Sequence, residues 1–185
     1  MRLSTVEPEA MNDAQRTAVA EVVAGKRGRV PGPMRAWIHS PEMASRALRL
    51  GEFLRFDTVL GPALSELAVL VTAKFWSAEY VFNSHAILGR QAGLDAKIID
   101  DIAGGREPHF ADAKAQAVFD YATMLHRTHF IPATLHDEAV AALGERGVVE
   151  LVGLLGYYTL TSMTINAFAV PLPEGAAPPF PAAGV

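Results

Sequence analysis

The sequence predicts an all-α helical bundle. Apolar residues recur at helical spacing along most of the 185 residues, cap and stop residues bracket those runs, and no run alternates with period two between hairpin turns. A length of 185 residues fits one domain, here taken over 1–185. A chain of this size buries roughly 70% of its unfolded surface and needs neither disulfide nor metal to fold.

Asn12 or Asp13 caps a first helix through Ala24, with Gly25 as its stop. Residues 26–33 (KRGRVPGP) read as a basic, Pro/Gly-rich loop. Ser40-Pro41-Glu42 opens the next helix with a cap, a proline at the first helical position and an acid in the first turn. It runs to about Arg55, with Met43, Ala47, Leu50 and Leu54 at helical spacing. Pro62 opens a third, whose stripe is Leu64, Leu67, Ala68, Val71 and Phe75. Ser77 is expected to cap a helix from Glu79 to Gln91, stopped by Ala92-Gly93-Leu94. Asp95 caps a short helix to Ala103, and Asp112 starts a long one through His126. Thr134 opens Leu135–Leu143, which Gly144 terminates, and a last helix runs from about Arg146 to Ala169. From Pro171 the Pro-rich tail PLPEGAAPPFPAAGV is expected to be extended.

Leu151–Val170 holds twenty uncharged residues, enough to cross a bilayer. Tyr157, Tyr158, Thr159, Ser162 and Asn166 within it, and no flanking Lys/Arg cluster, favour a core helix instead. An acid leads an apolar run at Glu66 and again at Glu150, a likeness any two bundle helices share readily.

Composition removes several function classes. The chain has no cysteine, which excludes disulfide scaffolds, Cys-ligated metals and thiol mechanisms. Sixteen Lys+Arg against twenty Asp+Glu give a net charge of −4 and argue against nucleic acid as a partner. No targeting signal or membrane span is expected, so the localisation expected is cytoplasmic. The sequence has no phosphate-binding Gly-Lys-Ser/Thr loop, no His-Glu-x-x-His and no Glu-x-x-His pair. His126 and His129 lie one turn apart without a matching carboxylate and read as exposed or capping residues; no metal and no cofactor is expected.

Residues 64–93 carry the chemistry. Glu66 interrupts an apolar stretch, and His85 sits among apolar and amide neighbours. In one straight helix, nineteen residues would hold them roughly 28 Å apart. A reversal at Ser77 instead places Glu66 about 16 Å before the turn and His85 about 12 Å after it, nearly level. Ala78, Val81 and His85 share one face of the second helix. Acid and imidazole then converge between two helices, either as a bridging hydrogen bond or as part of a ligand site.

Glu66, eleven residues, Ala78, two residues, Val81, three residues and His85 resemble the alkylhydroperoxidase D motif E-x11-C-x2-C-x3-H. The neighbouring Leu64-Ser65-Glu66-Leu67-Ala68 and Ala86-Ile87-Leu88-Gly89-Arg90-Gln91, the early Arg35-Ala36-Trp37-Ile38-His39-Ser40-Pro41-Glu42 and the Tyr157–Asn166 stretch are similar to the same carboxymuconolactone decarboxylase/alkylhydroperoxidase D-like superfamily, in a cysteine-free branch. The resemblance runs from about Pro33 to Pro173 and implies an alkylhydroperoxidase D-like helical bundle with a core over about 33–170.

Ala78 and Val81 stand where the motif has its cysteines, so thiol peroxidase chemistry has no thiolate to use. The resemblance then implies the superfamily's other reaction, cofactor-free decarboxylation of an unsaturated lactone acid, within the breakdown of aromatic compounds. His85 would supply or take the proton and Glu66 would orient it. Arg35 is the expected clamp for a substrate carboxylate, and Trp37, Trp76 and Tyr80 the expected walls for a flat ring. Isomerisation and lactone hydrolysis need the same groups. A non-catalytic small-molecule-binding module and a structural oligomer are the alternatives. A homo-oligomer is expected under each reading, a trimer or a multiple of it, or a dimer.

Overall fold

The computed structural model describes residues 1–180. Among these there is no strand. The helices are α1 (Asp13–Ala24), α2 (Met34–Trp37), α3 (Pro41–Phe56), α4 (Gly61–Phe75), α5 (Glu79–Gln91), α6 (Ala96–Ala103), α7 (Ala113–Thr128) and α8 (Ala133–Ala167). A 3-10 turn at Pro8–Ala10 precedes them.

The core is built around α4. Its sequence is apolar on all sides, and every residue from Ser65 to Ala73 is buried. A helix without a polar face is stable only when enclosed, and α3, α5, α6, α7 and α8 all pack on this one. α7 and α8 complete the other side, with Val118, Leu151, Leu154 and Leu155 at the centre of the core.

Most of the caps follow the sequence signals. Asn12 and Gln15 form a reciprocal capping box at α1 (2.9 and 3.0 Å), and Asp95 and Asp112 accept backbone N–H groups at α6 and α7. Ala18 and Val22 of α1 are buried, so the packed unit begins well before Pro33. Two expected serine caps are not made. Ser40 offers no side-chain bond to α3, which begins on Pro41, where a missing N–H is no loss. Ser77 is not the cap of α5 either: Ala78 occupies that position, and Ser77 lies in the left-handed region at φ +48°. It makes the reversal between α4 and α5, with Ser77 N–H donating to the Lys74 carbonyl (3.0 Å) and Ala78 N–H to that of Ala73 (2.8 Å). The short α2, directly after the loop expected over 26–33, brings Met34 and Trp37 into the core.

α8 begins at Ala133, one residue before Thr134, and is broken at Gly144 (φ +75°, ψ 161°) where a terminator was expected. By length and composition α8 passes for a membrane span, but most of its apolar window is buried inside the bundle. Glu150, the echo of Glu66, has a structural task. It accepts Val59 N–H (2.7 Å) and Arg146 Nε–H (2.7 Å), which ties the α3–α4 turn to α8.

Gly51 of α3 marks the closest approach of α8. A Cβ there would lie 2.2 Å from Tyr157 Oη and 2.3 Å from Cζ. The Tyr157 ring is held edge-on by Trp37 and Tyr158, with ring centroids 6.3 and 5.3 Å away, so a Cβ at Gly51 would have to push it towards the cavity it lines. Gly51→Val is expected to destabilise the fold by about 1–3 kcal/mol through overpacking, read as a lower urea midpoint. An unchanged midpoint would contradict this packing.

Candidate functional site

The reversal at Ser77 brings Glu66 and His85 together. His85 Nδ1 and Glu66 Oε2 are 2.5 Å apart, and both side chains are about nine-tenths buried. A carboxylate only accepts, so Nδ1–H is the donor, and in the neutral ring Nε2 then keeps its lone pair. The Tyr158 ring stands edge-on to the imidazole, with centroids 4.9 Å apart and planes at 82°. Arg55, near the end of α3, reaches Glu66 from the other side, Nη2 to Oε1 3.8 Å. The carboxylate therefore bridges an imidazole and a guanidinium, which offsets the desolvation of a charge inside the bundle.

His85, Tyr158 and Arg55 form part of the wall of a cavity of about 620 Å³, with Glu66 behind His85, within the usual range for small-molecule sites. α5 contributes Tyr80, Val81 and His85, α8 contributes Tyr157, Tyr158 and Thr161, and the loop after α1 contributes Arg27. That loop is anchored on α3. Lys26 N–H donates to Glu52 Oε2 (2.9 Å), and the Lys26 ammonium pairs with Asp57. The remaining wall comes from the segment beyond α8. Pro173–Ala176 line the cavity through a turn at Glu174–Gly175. Asn83 Nδ2–H donates to the Ala177 carbonyl (3.2 Å), and Phe180 packs edge-on against Phe82, centroids 4.9 Å apart. Residues 171–180 thus fold across their own subunit's α5, and the rest of the expected tail, 181–185, lies outside the described residues.

Tyr80 is the one expected substrate-wall residue that lines the cavity. Arg35 is exposed and lies off the cavity, because α2 turns its position outward. Trp37 is buried behind Tyr157 and donates Nε1–H to Thr164 Oγ1 (3.0 Å). Trp76 ends α4 and donates to Thr159 Oγ1 (3.2 Å), again outside the cavity. Ala78 and Val81 are both buried, and Val81 forms part of the wall. Arg27, Arg55, Tyr157 and Tyr158 are cavity residues that the sequence did not mark as such. The arginines look like any others in a basic loop or on an amphipathic helix, while two adjacent tyrosines in an otherwise apolar helix were a usable signal.

Burial dominates the titration of the site. It lowers the His85 pKa below the ordinary imidazole value, although Glu66 pulls the other way. Burial also raises Tyr157, and Tyr158 well above a free phenol, so both hydroxyls stay protonated at neutral pH. His126 is half-buried beside Thr72 Oγ1 (2.9 Å) and stacked on Phe75, away from this cavity. Among the described residues there is no cluster of three or more His, Cys, Asp or Glu able to hold a metal.

A buried imidazole with a lowered pKa takes up a proton on unfolding. The unfolded chain then binds more protons than the folded one below about pH 6.5, and the His85 contribution is lost as pH falls through that window. Wild type is expected to lose up to about 1.4 kcal/mol per pH unit more than His85→Asn over this range, measured by urea unfolding at a series of pH values. Parallel profiles would contradict a buried neutral imidazole.

No family model matches this sequence, and no curated protein matches it significantly. Solved structures do. An uncharacterised peroxidase-related protein with an alkylhydroperoxidase AhpD core, from Ralstonia eutropha JMP134, superposes with a TM-score of 0.78 at 17% identity, covering 94% of this chain and 92% of that one. An uncharacterised peroxidase-related protein from Silicibacter sp. TM1040 gives 0.78 at 16% identity, covering 94% and 91%. A protein of unknown function from Agrobacterium tumefaciens gives 0.67 at 15% identity, covering 75% and 95%. Likeness at this level of identity establishes architecture, and the chain has the alkylhydroperoxidase D-like all-α fold.

Proposed function

We propose that this protein is a cofactor-free acid/base enzyme of decarboxylase-like chemistry, acting in the cytoplasm on a small unsaturated lactone or carboxylic acid. The observation that carries this reading is the 2.5 Å His85–Glu66 hydrogen bond in the wall of a small-molecule-sized cavity. Glu66 fixes the Nδ1–H tautomer and supports the imidazolium when it forms, as carboxylates orient catalytic histidines elsewhere. His85 Nε2 is the proton-transfer atom. In decarboxylation the breaking C–C bond leaves its electron pair on the unsaturated lactone, CO2 departs, and the imidazolium, charged from solvent, delivers a proton to carbon. In a double-bond shift, Nε2 takes a proton from one carbon and returns it to another. A neutral resting imidazole favours the second route as an alternative outcome, since it needs no prior protonation.

Thiol peroxidase chemistry is not part of the proposal, since Ala78 and Val81 offer no sulfur. Self-association is. Val149, Val152, Leu160 and Met163 lie at helical spacing on α8 and are exposed, an apolar face suited to a second copy, and light scattering gives the subunit number.

Turnover is tested by screening butenolide acids for CO2 release and for ultraviolet change. His85→Ala is expected to lower kcat/KM by about 10²- to 10⁴-fold on any accepted substrate, and Glu66→Gln by at least about tenfold. Alkyl hydroperoxide with a dithiol reductant is expected to give no turnover. Full activity in both variants would overturn the assignment, and a ligand bound but never converted would favour the binding-module reading.

A further inference from the structure

Three guanidinium groups line the cavity, and two of them are not fully satisfied by the protein. Arg27 Nη2 and Arg55 Nε are buried, and no acceptor among the described residues bonds them. A buried donor without an acceptor costs its full desolvation, and more when it carries charge. Arg27 makes no ion pair among the described residues. Arg55 has only the 3.8 Å approach to Glu66, whose other oxygen is taken by His85 at 2.5 Å. The helices and loop that carry the two arginines are separately anchored, by Glu150 at the α3–α4 turn and by Glu52 and Asp57 beside Lys26. The backbone that carries the unsatisfied N–H groups is therefore held in place.

The charge around the cavity points the same way. Arg27, Arg29 and Arg55 line it with a single lining carboxylate, Glu174, and Glu66 lies behind His85. Three cations against two carboxylates leave one positive charge with His85 neutral. One monoanion balances it. A planar carboxylate offers two oxygens and about four acceptor positions, the geometry guanidinium edges match best.

We propose that Arg27 and Arg55 form a carboxylate-binding subsite beside His85 and so determine which substrates this cavity accepts. The inference deepens the acid/base reading above and rests on it for the word substrate. It also constrains the chemistry. A carboxylate held by two guanidiniums is stabilised in the ground state, so in decarboxylation it is the group that stays, not the one that leaves as CO2. A double-bond shift needs only the gripped carboxylate, the one charge the resting cavity balances, whereas decarboxylation needs a second carboxylate, balanced only once His85 is protonated.

The test is calorimetry with 5-oxo-2,5-dihydrofuran-2-acetate and its methyl ester, which differ in the charge to be recognised. Benzoate and benzamide serve as a second pair, and inorganic phosphate as a competing anion. Wild type is expected to bind each acid at least tenfold more tightly than its neutral partner. Arg27→Gln and Arg55→Gln are each expected to weaken the acid about 10- to 100-fold and leave the ester unchanged. Should Arg55→Gln fail to fold because Glu66 loses a neighbour, Arg27→Gln carries the test alone, since its loop position is half-buried. Equal affinity for acid and ester, an unchanged acid affinity in Arg27→Gln, a loss confined to Arg35→Gln, displacement by phosphate at equal concentration, or no binding of either acid to wild type would each overturn the subsite. His85→Ala separates the two claims. Retained acid binding with lost turnover supports both. Full turnover in His85→Ala together with weakened binding in Arg27→Gln would sink the acid/base reading and keep the subsite.

Discussion

A carboxylate inside the most enclosed helix of the bundle is the constraint around which the rest is arranged. Glu66 lies in a run where Ser65 through Ala73 are all buried, so its charge has no water to fall back on. Its neighbours must supply what the solvent would, and they come from two other helices: His85 from α5 and Arg55 from α3. The α4–α5 reversal, the left-handed Ser77 at its centre and the anchoring of the α3–α4 turn by Glu150 all serve to bring those partners to one carboxylate. Removing either partner would leave a buried charge half-compensated, at a cost in stability.

The same arrangement separates this chain from thiol chemistry while keeping its geometry. Ala78 and Val81 pack where sulfur would be needed, and both are buried among apolar neighbours. What the cavity wall presents is an imidazole with one nitrogen committed to Glu66, set against two protonated tyrosines and three guanidiniums. On the proposed reading, His85 is the proton-transfer group of the cavity and the guanidiniums its anion-recognition groups. Pro173–Ala176 form part of the same wall, so the segment after α8 belongs to the site as much as the helices do.

Helices were legible in the sequence because caps, stops and apolar spacing agreed at most boundaries: Asn12, Asp95, Asp112 and Gly144 all act as their residue types suggest. The Glu66–His85 pairing was legible as well, since a single reversal at a known place makes the two levels equal. The failures have physical causes. Ser77 is a turn residue instead of a cap because the tight connection needs a left-handed backbone there. Arg35, Trp37 and Trp76 fall off the cavity because the short α2 and the end of α4 direct them outward or into the core, which local spacing does not reveal. Arg27 and Arg55 owe their importance to loop anchoring and to burial by distant segments, information that exists only once the chain is folded.

The tautomer of His85 is the most direct measure of the central claim. With ¹⁵N-labelled histidine, the imidazole resonances of the wild-type protein at neutral pH are expected to show a protonated Nδ1 and a bare Nε2, and Glu66→Gln is expected to disturb that pattern. An imidazolium at neutral pH, or a hydrogen on Nε2 with Nδ1 bare, would contradict the account.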